Sequence, residues 1–267
     1  MSRKTGSDNF TPFEDGFIFF GNQKIPFHID WDYKKNGRIF MQDIIDGACI
    51  PTPNCAEYGD EPILAYIVNI GMLGEGVVKG EWLPFPTTPE ILRATLKTIG
   101  IGKGRYKRFM VAQYITDVAG LAALLPSLPC LNELNILAHL LTDLECEEVD
   151  VLEAALEFTG PSKLSEIINL VLNLSRFEYI PDVGDDEELG RHCVETFDFC
   201  DVPGIDEFLK HVDHRFYGVN KRHDEDGAFV EGGYIGDLTD IPTLYNGLYD
   251  FSESIRPFDD CPDCNNV

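Results

Sequence analysis

Between Glu133 and Glu207 the chain carries 20 acidic residues against three bases, Lys163, Arg176 and Arg191, leaving −17 in 75 residues. The densest part, LTDLECEEVDVLEAALEF from Leu141 to Phe158, has no Lys or Arg at all. Leu131, Leu134, Leu137, Leu141 and Leu144 recur at helical spacing, so the region reads as helical. On a helix Asp150, Glu153 and Glu157 fall at i, i+3 and i+7 and stack on one face, with Glu145, Glu147 and Glu148 crowded just before them. Like charges at that spacing cost an isolated helix about 0.2–0.5 kcal/mol per pair. The segment is therefore restricted to helices that turn a repulsive acidic face outward, and that face needs a purpose.

A length scale suggests one. Duplex DNA carries one negative charge per ~1.7 Å of axis. A helix rises ~1.5 Å per residue, so an acid at every fourth position gives one charge per ~6 Å. Two or three such helices side by side approach the linear charge density of DNA, with carboxylates in place of phosphates. The plainer reading is a solvated helix face, since acidic runs are usually that.

The whole chain extends the argument. Its 46 acids and 21 bases give a net charge of −25, against roughly 2–8 in magnitude for a soluble small domain. That excess argues against direct binding to nucleic acid or to an anionic membrane, both polyanions. It favours a basic partner, a metal cation or a halophilic setting. Hydrophobic content of 44% is enough for a core. The first residues, MSRKTGSDNF, show no apolar signal region, and the longest apolar run, Gly120 to Leu131, is short and broken by Pro126 and Pro129. The expectation is a soluble intracellular protein. Its eight cysteines are spread along a chain too long to need staples, so reduced thiols are expected. CPDC at 261–264 has no second ligand pair at zinc spacing and no strand–helix context for thioredoxin-like chemistry.

No catalytic or cofactor motif stands out. GMLGEG lacks a following GK[ST], and there is no G-x-S-x-G. His211 and His214 form HxxH near Asp213, His223 and Asp224, but without the Glu of H-E-x-x-H this reads as a surface helix and polar loop. An EF-hand calcium loop is also missing. The expectation is a non-enzyme without cofactor or metal.

Along the chain, residues 1–61 read as an extension, with a β-hairpin in GFIFFGNQKIPFHIDW, a third strand or short helix in GRIFMQDIIDG, and a Pro-rich linker. ILAYIVNIG reads as a buried strand, GMLGEG as a Gly-rich turn, and VVKGEWLPFP as a strand ended by its prolines. TPEILRATLKTIG reads as a helix with Thr88 as N-cap, Pro89 first, an apolar face of Ile91, Leu92, Leu96 and Ile99, and Gly100 at its end. RYKRFMVAQYI, from Arg105, is a further strand. Three helices follow: one on the leucine repeat, one over about 148–158, and one beginning near Pro161. DDEELGRHCVETF and IDEFLKHVD read as short helices, GAFVEGGYIG as a closing strand or hairpin, and the remainder as a polar tail. The five bases from Lys97 to Arg108 (with Lys103, Arg105 and Lys107 between) read as a solvated loop and strand start.

AYIVNIGMLGEGVVKGEWLPFP, Ala65 to Pro86, resembles the opening of the ArdA antirestriction proteins, through Tyr66, Asn69, Gly74, Glu75, Gly76, Gly80 and Trp82. RYKRFMVAQYITDVAGL, LNELNILAHLL, GPSKLSEIINLVL and FLKHVDHRFYGVNKRHDEDGAFVEGGYIGDL are similar to later parts of that family, in order, so the resemblance covers about 63–238. It implies an elongated α+β protein of three small domains, a small α+β unit (62–119), a helical bundle (120–182) and a second small α+β unit (183–238), beside the N-terminal β-rich extension (1–61) and a C-terminal tail (239–267). It also implies a homodimer in the bacterial cytoplasm. Such a protein mimics bent DNA and occupies the DNA groove of type I restriction–modification enzymes, mainly the methylase core, so protecting incoming mobile DNA. The candidate mimic surface is Asp143, Glu145, Glu147, Glu148, Asp150, Glu153, Glu157, Glu166, Asp182, Asp185, Asp186, Glu187, Glu188, Glu195, Asp198 and Asp201. The extension and the CPDC tail depart from the family pattern. The alternative reading is an acidic adaptor or anti-defence inhibitor that binds another basic DNA-processing protein. Residues 63–238 alone should inhibit under the first reading, whereas loss of 1–61 should abolish binding under the second.

Overall fold

The computed structural model describes residues 50–53, 61–102, 105–196, 211–238 and 241–247, with the backbone of 16–20 and 23–27. The fold is mixed α+β, and its described residues form eight helices and two antiparallel three-stranded sheets besides an N-terminal hairpin. The hairpin pairs β1 (Gly16–Phe20) with β2 (Gln23–Phe27), in register from Gly16↔Phe27 to Phe20↔Gln23, as the aromatic runs predict. The expected GRIFMQDIIDG element lies outside the described residues. Contacts divide the chain into two compact units, one comprising Met1–Gly59, Ala65–Leu83 and Pro89–Gln113, the other Asp60–Leu64, Pro84–Thr88 and Tyr114–Val267.

The sheet that lies mostly in the first unit has as its central strand β3 (Ile63–Asn69), buried at all seven positions as its unbroken apolar run requires. β4 (Gly80–Phe85) and β5 (Phe109–Ile115) flank it. β4 continues through Pro84 instead of ending there, which an edge strand allows because its outer N–H groups need no ladder partner. GMLGEG is more than a turn. Its start is a helical turn, α1 (Ile70–Leu73), because the Asn69 side chain accepts the Met72 N–H and caps it. Helix α2 (Pro89–Thr98) starts directly after Thr88, and Gly100 follows with φ +81°, a backbone that glycine adopts without strain. Leu92 and Ile99 are buried and Leu96 half-buried, but Ile91, expected on the apolar face, is 44% exposed. The motif residues are structural here. Asn69 is fully buried and donates to the Ile99 carbonyl, Tyr66 packs 5.2 Å from Trp82, and a β-carbon at Gly80 would strike the Tyr66 ring.

In the second unit a one-turn helix, α3 (Leu121–Leu124), leads to α4 (Leu131–Thr142), α5 (Cys146–Thr159) and α6 (Leu164–Leu172). These are the three helices that the periodicity predicts. α6 packs against both α4 and α5. Gly160, φ +56°, terminates α5 in a left-handed cap. β6 (Phe177–Pro181), not foreseen from the sequence, pairs with β8 (Gly233–Asp237), which also pairs with β7 (Ala228–Val230), so GAFVEGGYIG is a hairpin. α7 (Asp186–Thr196) and α8 (His214–Asp224) lie against each other. A methyl group at Gly190 would land on the His214 carbonyl, and one at Gly218 on the Asp186 carbonyl, so the two backbones touch at this glycine pair. The predicted IDEFLKHVD helix falls mostly outside the described residues, and HxxH is split, with His214 opening α8 and Asp213 capping it through the Phe216 N–H.

Part of the stretch read as a mostly polar tail is packed: within residues 241–247, Tyr245 is 2% exposed and held by the helical core. CPDC lies outside the described residues.

Candidate acidic partner-binding surface

Fourteen of the sixteen acids proposed from the sequence are described, and Asp198 and Asp201 are not. Twelve are exposed, while Glu153 and Asp186 are half-buried. The helical stacking of Asp150, Glu153 and Glu157 is realised, since all three line one side of a cleft of about 740 Å³ whose other walls include Gly120, Leu124, Tyr179 and Gly232. Two of them are tied to backbone there. Glu153 accepts the Ala119 N–H at 2.7 Å and Glu157 accepts the Glu231 N–H at 2.9 Å. The Tyr179 pKa is raised, first by burial and then by the negative field of Asp150, Asp182 and Glu153.

The carboxylates divide by local role. Glu148 accepts the Glu145 N–H at 3.0 Å and so helps cap α5. Glu166 accepts from the Ser162 and Lys163 N–H groups and lies 3.6 Å from the Lys163 Nζ. Those bonds, led by the one from Ser162, hold its pKa below the usual carboxylate range. Asp185 accepts the N–H groups of Glu187 and Glu188, and Glu188 accepts that of Gly184, so the start of α7 caps itself with acid. Negative charge at a helix N-terminus opposes the positive end of the helix dipole, which lets four acids gather at 185–188. Glu187 pairs with Arg191 at 3.0 Å. Asp186 is bound to Arg222 at 2.8 and 3.3 Å, which makes it a brace between α7 and α8. Among the described residues, Asp143, Glu147, Asp150, Asp182 and Glu195 have side chains with no hydrogen-bond or ion-pair partner, and all are exposed.

Asp182 has φ +60° and its N–H donates to the Gly232 carbonyl at 2.9 Å, so the turn after β6 presents its carboxylate in a left-handed backbone. Glu178 of β6 and Glu225 at the end of α8 have a different fate. Lys221 lies 2.6 Å from both Glu178 and Glu225. Burial would lower its pKa, but those two hydrogen bonds outweigh it and hold the ammonium above its usual range. Sequence reasoning missed this cluster, because Glu178 lies 43 residues from Lys221. In the first unit, Lys97, Arg105, Lys107 and Arg108 are exposed, with Arg105 2.9 Å from Glu75, and Lys103 is outside the described residues.

No group of three or more potential metal ligands occurs among the described residues. None of the described helices is long and apolar enough to cross a membrane.

Fold and surface together define a mixed α+β protein whose second unit presents exposed carboxylates without a partner at Asp143, Glu147, Asp150, Asp182 and Glu195. A family model described as Antirestriction protein (ArdA) matches residues 65–236, and the chain belongs to that family. ArdA antirestriction proteins are non-enzymatic inhibitors, and membership implies inhibition of type I restriction enzymes. Comparison with curated protein sequences gives no match.

Proposed function

We propose that this chain inhibits by DNA mimicry, with the acidic surface of α5, the 182–188 turn and α7 occupying the DNA groove of a type I restriction–modification enzyme, chiefly its methylase core. One observation carries the reading: carboxylates with no partner, Asp143, Glu147, Asp150, Asp182 and Glu195, are exposed along a stretch that is nearly free of bases. Charge that is left uncompensated within the fold is available to a basic groove, and complementary fields speed association most at low salt. The acids bonded within the fold have another use. Glu153 and Glu157 hold the 119 and 231 backbones, and Asp186 holds α8, so they set the spacing of the array more than they supply free charge. Protection of incoming mobile DNA in a bacterial cytoplasm, a homodimeric state, and division of the matched region at about 119/120 and 182/183 belong to the same proposal.

The test is displacement of DNA from a purified type I methylase core by the full chain at two salt concentrations. Near-stoichiometric displacement is expected, weakening as the Debye length falls from ~10 Å at 0.1 M to ~3 Å at 1 M. No displacement at either salt would overturn mimicry of this target and direct the search to another basic protein.

A further inference from the structure

We propose that residues 241–247, which lie past the end of the family match at 236, are a clamp that ties α4 to α6 and through α6 steadies the acidic helix α5. The clamp is bound mainly by one side chain. Asn169 on α6 uses both ends of its amide on the segment's backbone: Oδ1 accepts the N–H groups of Leu244 and Tyr245 at 2.8 Å each, and Nδ2 donates to the Tyr245 carbonyl at 2.9 Å. One turn on, Asn173, only 2% exposed, donates to the Pro242 carbonyl at 3.1 Å. Those bonds satisfy backbone groups on either side of the buried Tyr245, in a segment that belongs to no helix or strand. Tyr245 then reaches α4, where its hydroxyl donates to Glu133 at 3.0 Å. Its ring is among the largest fully buried side chains of the chain.

The consequence reaches α5 through packing. Among the principal contacts of the described residues α6 touches both α4 and α5, so whatever fixes α6 against α4 also fixes one part of the support of α5, which rests besides on the β6–β8–β7 sheet. The inference rests on these docking contacts and not on the mimic reading.

Hydrogen exchange on the unmodified full chain and on full-length Tyr245→Ala tests it. In the unmodified chain the Leu244 and Tyr245 amides should be protected, because both are bonded to Asn169. Tyr245→Ala should lower Tm by about 5–10 °C. It should also speed exchange in α6 and α5 at least tenfold, while Leu244→Ala, at a side chain 51% exposed, leaves both readings unchanged. Tyr245→Phe, which keeps the ring and removes the hydroxyl bonded to Glu133, gives a smaller shift of the same sign and serves if the alanine variant does not fold. Unprotected amides at 244 and 245, or a Tyr245 variant with unaltered exchange in α5 and α6, would overturn the clamp. DNA displacement is measured on the same variants. A clamp upheld by exchange in a chain that displaces no DNA would retire mimicry alone.

Discussion

Asp182 and Glu133 show how one carboxylate differs from the next. Asp182 combines a left-handed backbone with an unpartnered side chain near Tyr179. Asp and Asn share tolerance of that conformation, so Asp182→Asn should change stability by less than about 0.5 kcal/mol. It should also lower the Tyr179 pKa, read as the tyrosinate absorbance on titration, because part of the negative field is gone. Glu133 is the opposite case. Burial raises its pKa, and the Tyr245 hydrogen bond pulls it only partly back. A carboxyl with a raised folded pKa favours folding while protonated and costs stability once pH rises through that folded value. Glu133→Gln, which still offers an oxygen to Tyr245, is therefore expected to raise Tm at pH 7. The gain should vanish as pH falls to the unfolded carboxylate pKa, as thermal melts across that range would show.

At the scale of elements, α7 and α8 depend on two glycines. Gly218→Ala places a methyl group on the Asp186 carbonyl, and backbone cannot yield as a flexible side chain can. The expected loss is about 3 kcal/mol in a denaturant melt. The same crossing explains why α8 escaped the sequence. Its one buried residue is Gly218, while Phe216, Tyr217 and Val219 are exposed at 66, 43 and 39%. The usual amphipathic signal is inverted, so periodicity finds nothing. β6 was missed for a related reason, since FEYIP is five residues long, ends in Pro, and becomes a strand only by pairing with β8, 52 to 60 residues further along the chain. α5 was legible because its apolar and acidic faces repeat at 3.6 residues. Its function should be collective. Neutralising Asp143, Glu147, Asp150, Asp182 and Glu195 together is expected to weaken DNA displacement about tenfold to a hundredfold at low salt, each alone by less than about fivefold. A single substitution that removed all inhibition would point away from charge mimicry.

For the whole molecule, contacts of the described residues reach beyond 63–238 at both ends. At one end the Trp82 indole N–H donates to the Pro51 carbonyl at 2.8 Å, and Pro53 is buried. At the other, Tyr245 belongs to the helical core. A chain of residues 50–247 should therefore melt at a higher temperature than 63–238, by about 5 °C or more, in a side-by-side thermal scan. Equal melting of the two would mean that neither end adds to the fold.

The sequence by itself determined that this chain is acidic, mixed α+β and a relative of ArdA, that its middle is helical, and that Asp150, Glu153 and Glu157 share a face. Composition, period and motif are local properties, and short-range physics reads them out. Only the tertiary structure decided which carboxylates remain free. Asp186 lost its freedom to Arg222, Glu153 and Glu157 to distant backbone N–H groups, and Glu178 and Glu225 to Lys221. The same holds for Tyr245, which sits outside any periodic pattern and is buried where Asn169 and Asn173, about 70 residues earlier, complete the backbone bonds of its segment. A charge or a hydrogen-bonding group acquires its role from its partner, and the partner is chosen by the fold.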